Sequence, residues 1–171
     1  EVAERFSTDP ALLMRMLPPF AAMGLSGGSV TAVADSMGFR PLYFGDDGHG
    51  RAAISTSSQL VAGAIGAGLD ARALALQSLL GWQLGQRTVF QGVTKLAPGQ
   101  VVHLGAEGLR HSEPPTPLSA ALGLDDAVKS AARVLREGVG ALLDDHPDAV
   151  LQLTGGQDSR LLLSAIPAAR R

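Results

Sequence analysis

The ten residues Leu151-Gln152-Leu153-Thr154-Gly155-Gly156-Gln157-Asp158-Ser159-Arg160 constrain this 171-residue chain more than any other stretch. An apolar run, read as a strand over 149–153, breaks at a glycine pair and opens a helix near Asp158. Gly155 and Gly156 have no Cβ to obstruct the turn or the approach of a ligand, so the N–H groups of Thr154 to Ser159 can turn inward. The helix start adds unbonded N–H groups and the positive end of the dipole, which favour an anion. Thr154 and Ser159 offer hydroxyls, and Asp158 suits either a magnesium ion riding on phosphates or a helix cap. Leu153, Thr154, Gly155, Gly156, Gln157, Asp158 and Ser159 therefore form the candidate nucleotide-phosphate site. An ordinary strand-turn-helix connection would carry the same residues. The Walker spacing G-x-x-x-x-G-K-[ST] is absent.

Local signals divide the rest of the chain. Leu12, Leu13, Met16 and Leu17 have helical spacing after Asp9-Pro10, which predicts a helix within 5–20. A turn is expected over 25–28 and a strand over 29–34. Tyr43 to Gly45, the turn Asp46-Asp47-Gly48-His49-Gly50, and Ala53 to Leu60 read as strand, tight hairpin turn and strand. Asp70 is a helix N-cap for 71–81, with Trp82 packed at that helix's end. Val89-Phe90 and 101–104 read as strands, the latter entering a turn at 105–108. Glu113-Pro114-Pro115-Thr116-Pro117 is stiff and extended, and marks the domain boundary. Val128, Ala131, Ala132, Leu135, Val139, Leu142 and Leu143 step by threes and fours toward an Asp144-Asp145-His146-Pro147 stop, an amphipathic helix.

Exclusions come from composition. The net charge of −2 argues for neither nucleic acid nor an anionic membrane as partner. Cysteine is absent, which removes disulfides, thiolate metal sites and thiol nucleophiles from this sequence. The Ala/Gly-rich stretch 61–69 is too short to span a bilayer, and no signal-like segment opens the chain, so a cytoplasmic location is expected. His49, His103, His111 and His146 are scattered without ligand spacing and read as turn or surface residues. No Gly-x-Ser-x-Gly elbow is present.

Thr154-Gly155-Gly156-Gln157-Asp158-Ser159 resembles the SGGxDS signature of PP-loop ATP pyrophosphatases, with Thr for the first Ser. Asp35-Ser36-Met37-Gly38-Phe39-Arg40-Pro41-Leu42-Tyr43-Phe44, with Ser55 to Leu60, is similar to the RD-x-x-G-x-x-PLYY…SE-x-K-x-L stretch that precedes the PP-loop in the asparagine synthetase superfamily. Thr88-Val89-Phe90-Gln91-Gly92-Val93 and Leu96-Ala97-Pro98-Gly99 look like that superfamily's T-x-F-x-G-[VI]-x-x-L-x-PG segment. We read the first of these two blocks and the last as scaffold hairpins and assign them no chemistry.

The resemblance implies an α+β N-terminal part of Ntn amidotransferase type over 1–112, with antiparallel sheets and helices. A linker over 113–118 follows, and 119–171 would begin an α/β PP-loop domain of the adenine nucleotide α-hydrolase type. Because that fold needs further βα units beyond Arg171, the segment alone is expected to be inactive and to hold no catalytic residue. The resemblance further implies an ATP-dependent carbon–nitrogen ligase using ATP and Mg2+, with Asp158 on the metal. Its substrates would be a small-molecule or peptide carboxylate and an amine donor, and a homodimer stays open. Glutamine-dependent relatives use an N-terminal catalytic Cys, whereas this sequence starts Glu1-Val2-Ala3. Either the natural N-terminus has been removed, as in a truncated asparagine synthase, or the glutaminase is degenerate, as in β-lactam synthetases and lasso peptide cyclases. We lean to the ring-forming branch, with a non-catalytic remnant as the third reading.

Overall fold

In strands β1 (Ala21–Ser26) and β2 (Ser29–Ala34), the two-residue link Gly27-Gly28 has φ of 55° and 77°. Both values lie where only glycine is comfortable, and they set the tight antiparallel hairpin whose register runs from Ser26↔Ser29 to Ala21↔Ala34. These elements belong to a computed structural model, which describes residues 18–113 and 122–170 together with Arg5, Leu12 and Met16. The helix anticipated within 5–20 and the linker beyond Glu113 lie almost entirely outside the described residues. The chain divides into two compact units, Glu1–Pro117 and Leu118–Arg171.

In the first unit, β2 pairs on its other side with β6 (Val101–Gly105), which pairs in turn with β7 (Gly108–His111), giving the sheet order β1-β2-β6-β7. A second antiparallel sheet has the order β4-β3-β5, from β3 (Tyr43–Asp46), β4 (Ala52–Ser55) and β5 (Val93–Lys95). The β3–β4 turn is held by Asp47, whose carboxylate accepts from His49 N at 2.8 Å, Arg51 N at 3.0 Å and Arg51 Nε at 2.6 Å. The Arg51 side chain first, and the backbone donors after it, hold the Asp47 carboxyl down at about 2.

Alternation along each strand sorts residues onto opposite faces. Ala32 and Ala34 of β2 and Val102 of β6 meet Phe44 of β3, with Leu42 and Leu96 completing the cluster between the sheets. The alanines leave room for the larger partners. Val33 and Val101 point the other way, toward Leu12, Phe20 and Ala22. Helix α1 (Ser58–Ile65), capped by the Ser57 hydroxyl, buries Val61, Ala62 and Ile65 against Val93 on the outer face of the second sheet. Each large aliphatic side chain buried there contributes about 1.5–3 kcal/mol.

Helix α2 (Ala71–Leu80) begins where sequence reading places it. Asp70 accepts from the N–H groups of Arg72 and Ala73, and Gly81 ends the helix at φ 83°. Asp70→Ala should cost about 1 kcal/mol, measured as a shift in the urea unfolding midpoint. A shift below a third of that would mean the cap contributes little. Trp82 departs from expectation: it is 64% exposed, because the chain reverses at Gly81 and Gln83 reaches back to Ala73 O and Gln77 Oε1. Val89-Phe90 also departs, forming no strand beyond one bridge from Phe90 to Leu69. The Thr88 hydroxyl takes Phe90 N at 3.1 Å and donates toward Val93 O at 2.8 Å, while Gly92 turns at φ 69°. That turn moves the ladder onward to β5.

Just past the end of β2 lies a buried charge. Asp35 is fully inaccessible, and its carboxylate accepts four backbone N–H groups. Met37 and Phe39 donate to Oδ1 at 2.8 and 3.2 Å, and Phe20 and Arg40 donate to Oδ2 at 3.2 and 3.3 Å. Its carbonyl accepts from Gly38 and Gly99. Burial pushes the acid's pKa up, and the four amides outweigh that and bring it below 3.8.

In the second unit, helix α3 (Leu124–Asp145) matches the amphipathic pattern, ends at His146, and packs with helix α4 (Gln157–Ala165). The strand anticipated over 149–153 is not formed. A strand exists only with a hydrogen-bonding neighbour, and none of the described residues pairs with this stretch, where Val150 is 92% exposed.

Candidate functional site

The structure brings Thr154 to Ser159 together at the start of α4. Gly156, not Asp158, is the N-cap residue, and it offers no side chain. The first amides of α4 therefore have no side-chain acceptor. Asp158 lies in the first turn of the helix, where its charge complements the dipole. It shares an open hollow of about 510 Å³ with Gln157, Arg160 and Leu161. Leu153 flanks the loop and is 56% exposed.

The two hydroxyls close the loop on itself. Thr154 N–H donates to Ser159 Oγ at 3.2 Å, and the two side-chain oxygens lie 3.0 Å apart. Ser159 O–H can donate to Thr154 O at 3.1 Å, and Gly156 N–H donates to Thr154 Oγ1 at 3.2 Å. Ser159 is only 8% exposed as a result. Arg160 adds a bond from Nε to Gly156 O at 3.2 Å.

The glycines act differently from one another. Neither Gly155 nor Gly156 has a positive φ, so the turn itself does not demand them. A Cβ on Gly156 would lie 3.3 Å from Thr154 Oγ1, a tight fit against the closed loop. A Cβ on Gly155 would meet nothing within 4 Å. Gly155 thus leaves open space in front of the loop.

In the first unit a hollow of about 540 Å³ lies beside Asp70, Arg87, Thr88 and Phe90. The Asp70 carboxylate there is engaged as the α2 cap and the Thr88 hydroxyl holds its own turn, so the hollow presents no free acid or nucleophile from these two. Among the described residues, no group of three His, Cys, Asp or Glu is placed to hold a metal ion, and no helix is long and apolar enough to cross a membrane. The histidines lie where short-range reading puts them, at turns and on the surface. His111 does more, its ring lying 5.2 Å from that of Phe44 at a tilt of 45° and its Nδ1 meeting Gln100 Nε2.

The family model described as glutamine amidotransferase domain matches residues 19–114, more than half of the chain. The chain belongs to the glutamine amidotransferase domain family. The two antiparallel sheets with flanking helices are compatible with an Ntn-type amidotransferase domain, and the matched segment contains Asp35, Gly45 and the Thr88 turn. No curated protein matches the chain. The 171 residues contain no cysteine. The scaffold residues Asp35 and Gln100 were not singled out as sites from sequence. Their signal, a buried polar group saturated by backbone, appears only after folding.

Proposed function

We propose that the chain is part of an ATP-dependent amide-bond-forming ligase of the asparagine synthetase type. In this reading it adenylates a carboxylate, releases pyrophosphate and then AMP, and closes a ring within one substrate without a working glutaminase. The observation that carries the proposal is the Thr154–Ser159 loop, uncapped and open in front of Gly155, following an amidotransferase domain in the same chain. Residues 119–171 would begin the ATP-binding domain.

The residues present fit magnesium-ATP in a limited way. Asp158 is the one carboxylate among the described residues that line the loop's hollow, and a single carboxylate suits a magnesium ion that takes its other ligands from phosphates and water. The metal and the phosphates would supply an electrophilic phosphorus and a good leaving group. The loop's part is to position phosphate oxygens by N–H donors at the helix start, and to withhold any Cβ from their path. The departure from the SE-x-K motif at Ser55-Thr56-Ser57-Ser58 and the Thr154-Gly155-Gly156-Gln157 loop support the ring-forming branch.

The test is AMP release by the protein at its natural length, comparing aspartate plus glutamine or ammonia with peptides bearing an Asp or Glu side chain and a free N-terminus. AMP only with the peptide is the expected result. AMP with aspartate would replace the ring-forming reading by an asparagine synthase, and no AMP with any substrate would leave a non-catalytic domain. Two variants check the loop. Gly155→Ala should fold normally, since its Cβ meets nothing, yet bind magnesium-ATP roughly tenfold more weakly. Asp158→Ala should lose at least about tenfold in affinity, and only when magnesium is present. Unchanged calorimetric titrations for both would remove the loop from nucleotide binding.

A further inference from the structure

We infer that the exposed end of α2 is a self-association surface, on which Trp82 of one copy of the chain seats in the hollow beside Arg87 of a second copy. The inference stands apart from the nucleotide-binding reading and uses the amidotransferase unit alone. Seven of the ten residues of α2 are Ala or Leu, and they are spread around the whole helix. A helix that is apolar on every side is ordinarily covered on every side. Here only Ala73 is buried, while Leu74 is exposed and Leu79 is 80% exposed.

The chain beyond Gly81 extends this surface. Gln83 Nε2 donates to Ala73 O at 3.2 Å and to Gln77 Oε1 at 2.6 Å, which lays residues 82–84 along the helix. Trp82 and Leu84, on either side of that anchor, are both exposed. Leu74, Leu79, Trp82 and Leu84 together show solvent on the order of 500 Å², as large as the principal patch of an ordinary monomer. Two such faces brought together approach the ~1,000 Å² of a specific interface.

Beside this face lies a recess that suits its most prominent side chain. Leu84, Arg87, Phe90 and Val93 line the hollow of about 540 Å³, and Trp82, the one tryptophan of the sequence, is not among its lining residues. An indole fits apolar walls with a cation over its face. Leu84 and Phe90 supply the walls, and Arg87, which forms no ion pair among the described residues, supplies the cation. A knob and a recess side by side on one face are self-complementary. Rotation about a two-fold axis sets each Trp82 before the other copy's hollow, and the contact closes as a dimer. A foreign partner would have to bring both halves, whereas a second copy brings them by symmetry.

Sedimentation equilibrium of the protein at its natural length should show a monomer–dimer equilibrium tighter than about 100 μM, as a small interface allows. Trp82→Ala removes both symmetric contacts and should weaken dimerisation at least about thirtyfold. Its urea midpoint, read at a dilution where both proteins are monomeric, should match the parent's, because the side chain is exposed. Leu84→Trp fills the recess and leaves Trp82 in place, so it too should fail to self-associate. An equimolar mixture of the two variants should nevertheless dimerise more tightly than either alone, since one Trp82 then meets one open recess. A benzophenone amino acid in place of Trp82, in a mixture of isotope-labelled and unlabelled copies, should crosslink to residues 84–93 of the other copy. A parent that stays monomeric, a Trp82→Ala variant that dimerises as tightly as the parent, or crosslinks confined to one copy would each overturn the inference.

Discussion

Asp35→Ala is expected to lower the stability of the amidotransferase unit by roughly 3–5 kcal/mol, seen as a lower urea midpoint at unchanged slope. The loss follows from what remains behind. Four backbone N–H groups, from Phe20, Met37, Phe39 and Arg40, converge on a site with no access to water. Without the carboxylate they are buried donors lacking that acceptor, and they belong to two chain segments, at Phe20 and at 37–40, that the carboxylate ties together. Asp35→Asn should be nearly as harmful. One amide oxygen can serve only one of the two donor pairs, and the NH2 group would face the other pair with like polarity.

The same residue sets part of the acid limb of stability. Its folded pKa lies below 3.8, so the carboxylate's contribution is complete above about that pH and is lost as pH falls through the lower folded value. The parent should therefore lose stability steeply below pH 3.8, and Asp35→Asn should show a flatter profile there. A midpoint change worth less than about 1 kcal/mol in Asp35→Ala would sink this account.

Gly45→Ala should cost roughly 3 kcal/mol, although it adds one methyl group and asks for no unusual backbone angle. The added Cβ would sit 2.5 Å from Gly92 O and 3.1 Å from Ile65 Cδ1. Gly92 precedes Val93, the residue that pairs with Gly45 in the β3–β5 ladder, so the carbonyl cannot retreat without pulling β5 off its neighbour. Gly105→Ala is the internal control. Its Cβ would approach Ser29 Oγ at 2.8 Å, but that is the end of a side chain able to rotate away. The expected cost there is about 0.5 kcal/mol. Equal midpoints for the two variants would mean that β3 and β5 can shift apart freely.

Several elements were legible before folding because their signals are local. Asp70 and Gly81 bracket α2 with an N-cap and a left-handed C-cap. The stepping apolar residues of 128–143 give α3, the Asp/Gly turn gives the β3–β4 hairpin, and alternation gives β2 and β6. Each of these depends on residues within about two turns of one another. Where composition is bland, the signal fades. β1 reads Ala-Ala-Met-Gly-Leu-Ser, small residues with little preference for a strand, and it exists because β2 lies beside it. β5 has three residues and is recognisable only by its partner β3. Helix α1 begins at Ser58, inside the run expected as strand up to Leu60, and continues into an Ala/Gly-rich stretch; its place is set by burial of Val61 and Ile65 on the second sheet.

The candidate site divides along the same line. The pattern Thr154-Gly155-Gly156-Gln157-Asp158-Ser159 already specified a glycine turn running into a helix with an acidic first turn, since turn and helix-start preferences act over a few adjacent residues. Which groups stay available was decided by folding. Closure of the loop engages both hydroxyls and two amides and leaves Gly155 facing open space, because a hydrogen bond needs two groups at 3 Å and a short motif does not say where the second one will be. The same reason applies to Asp35, an ordinary turn acid by sequence, which became a buried anion once Phe20 and the 37–40 loop converged on it.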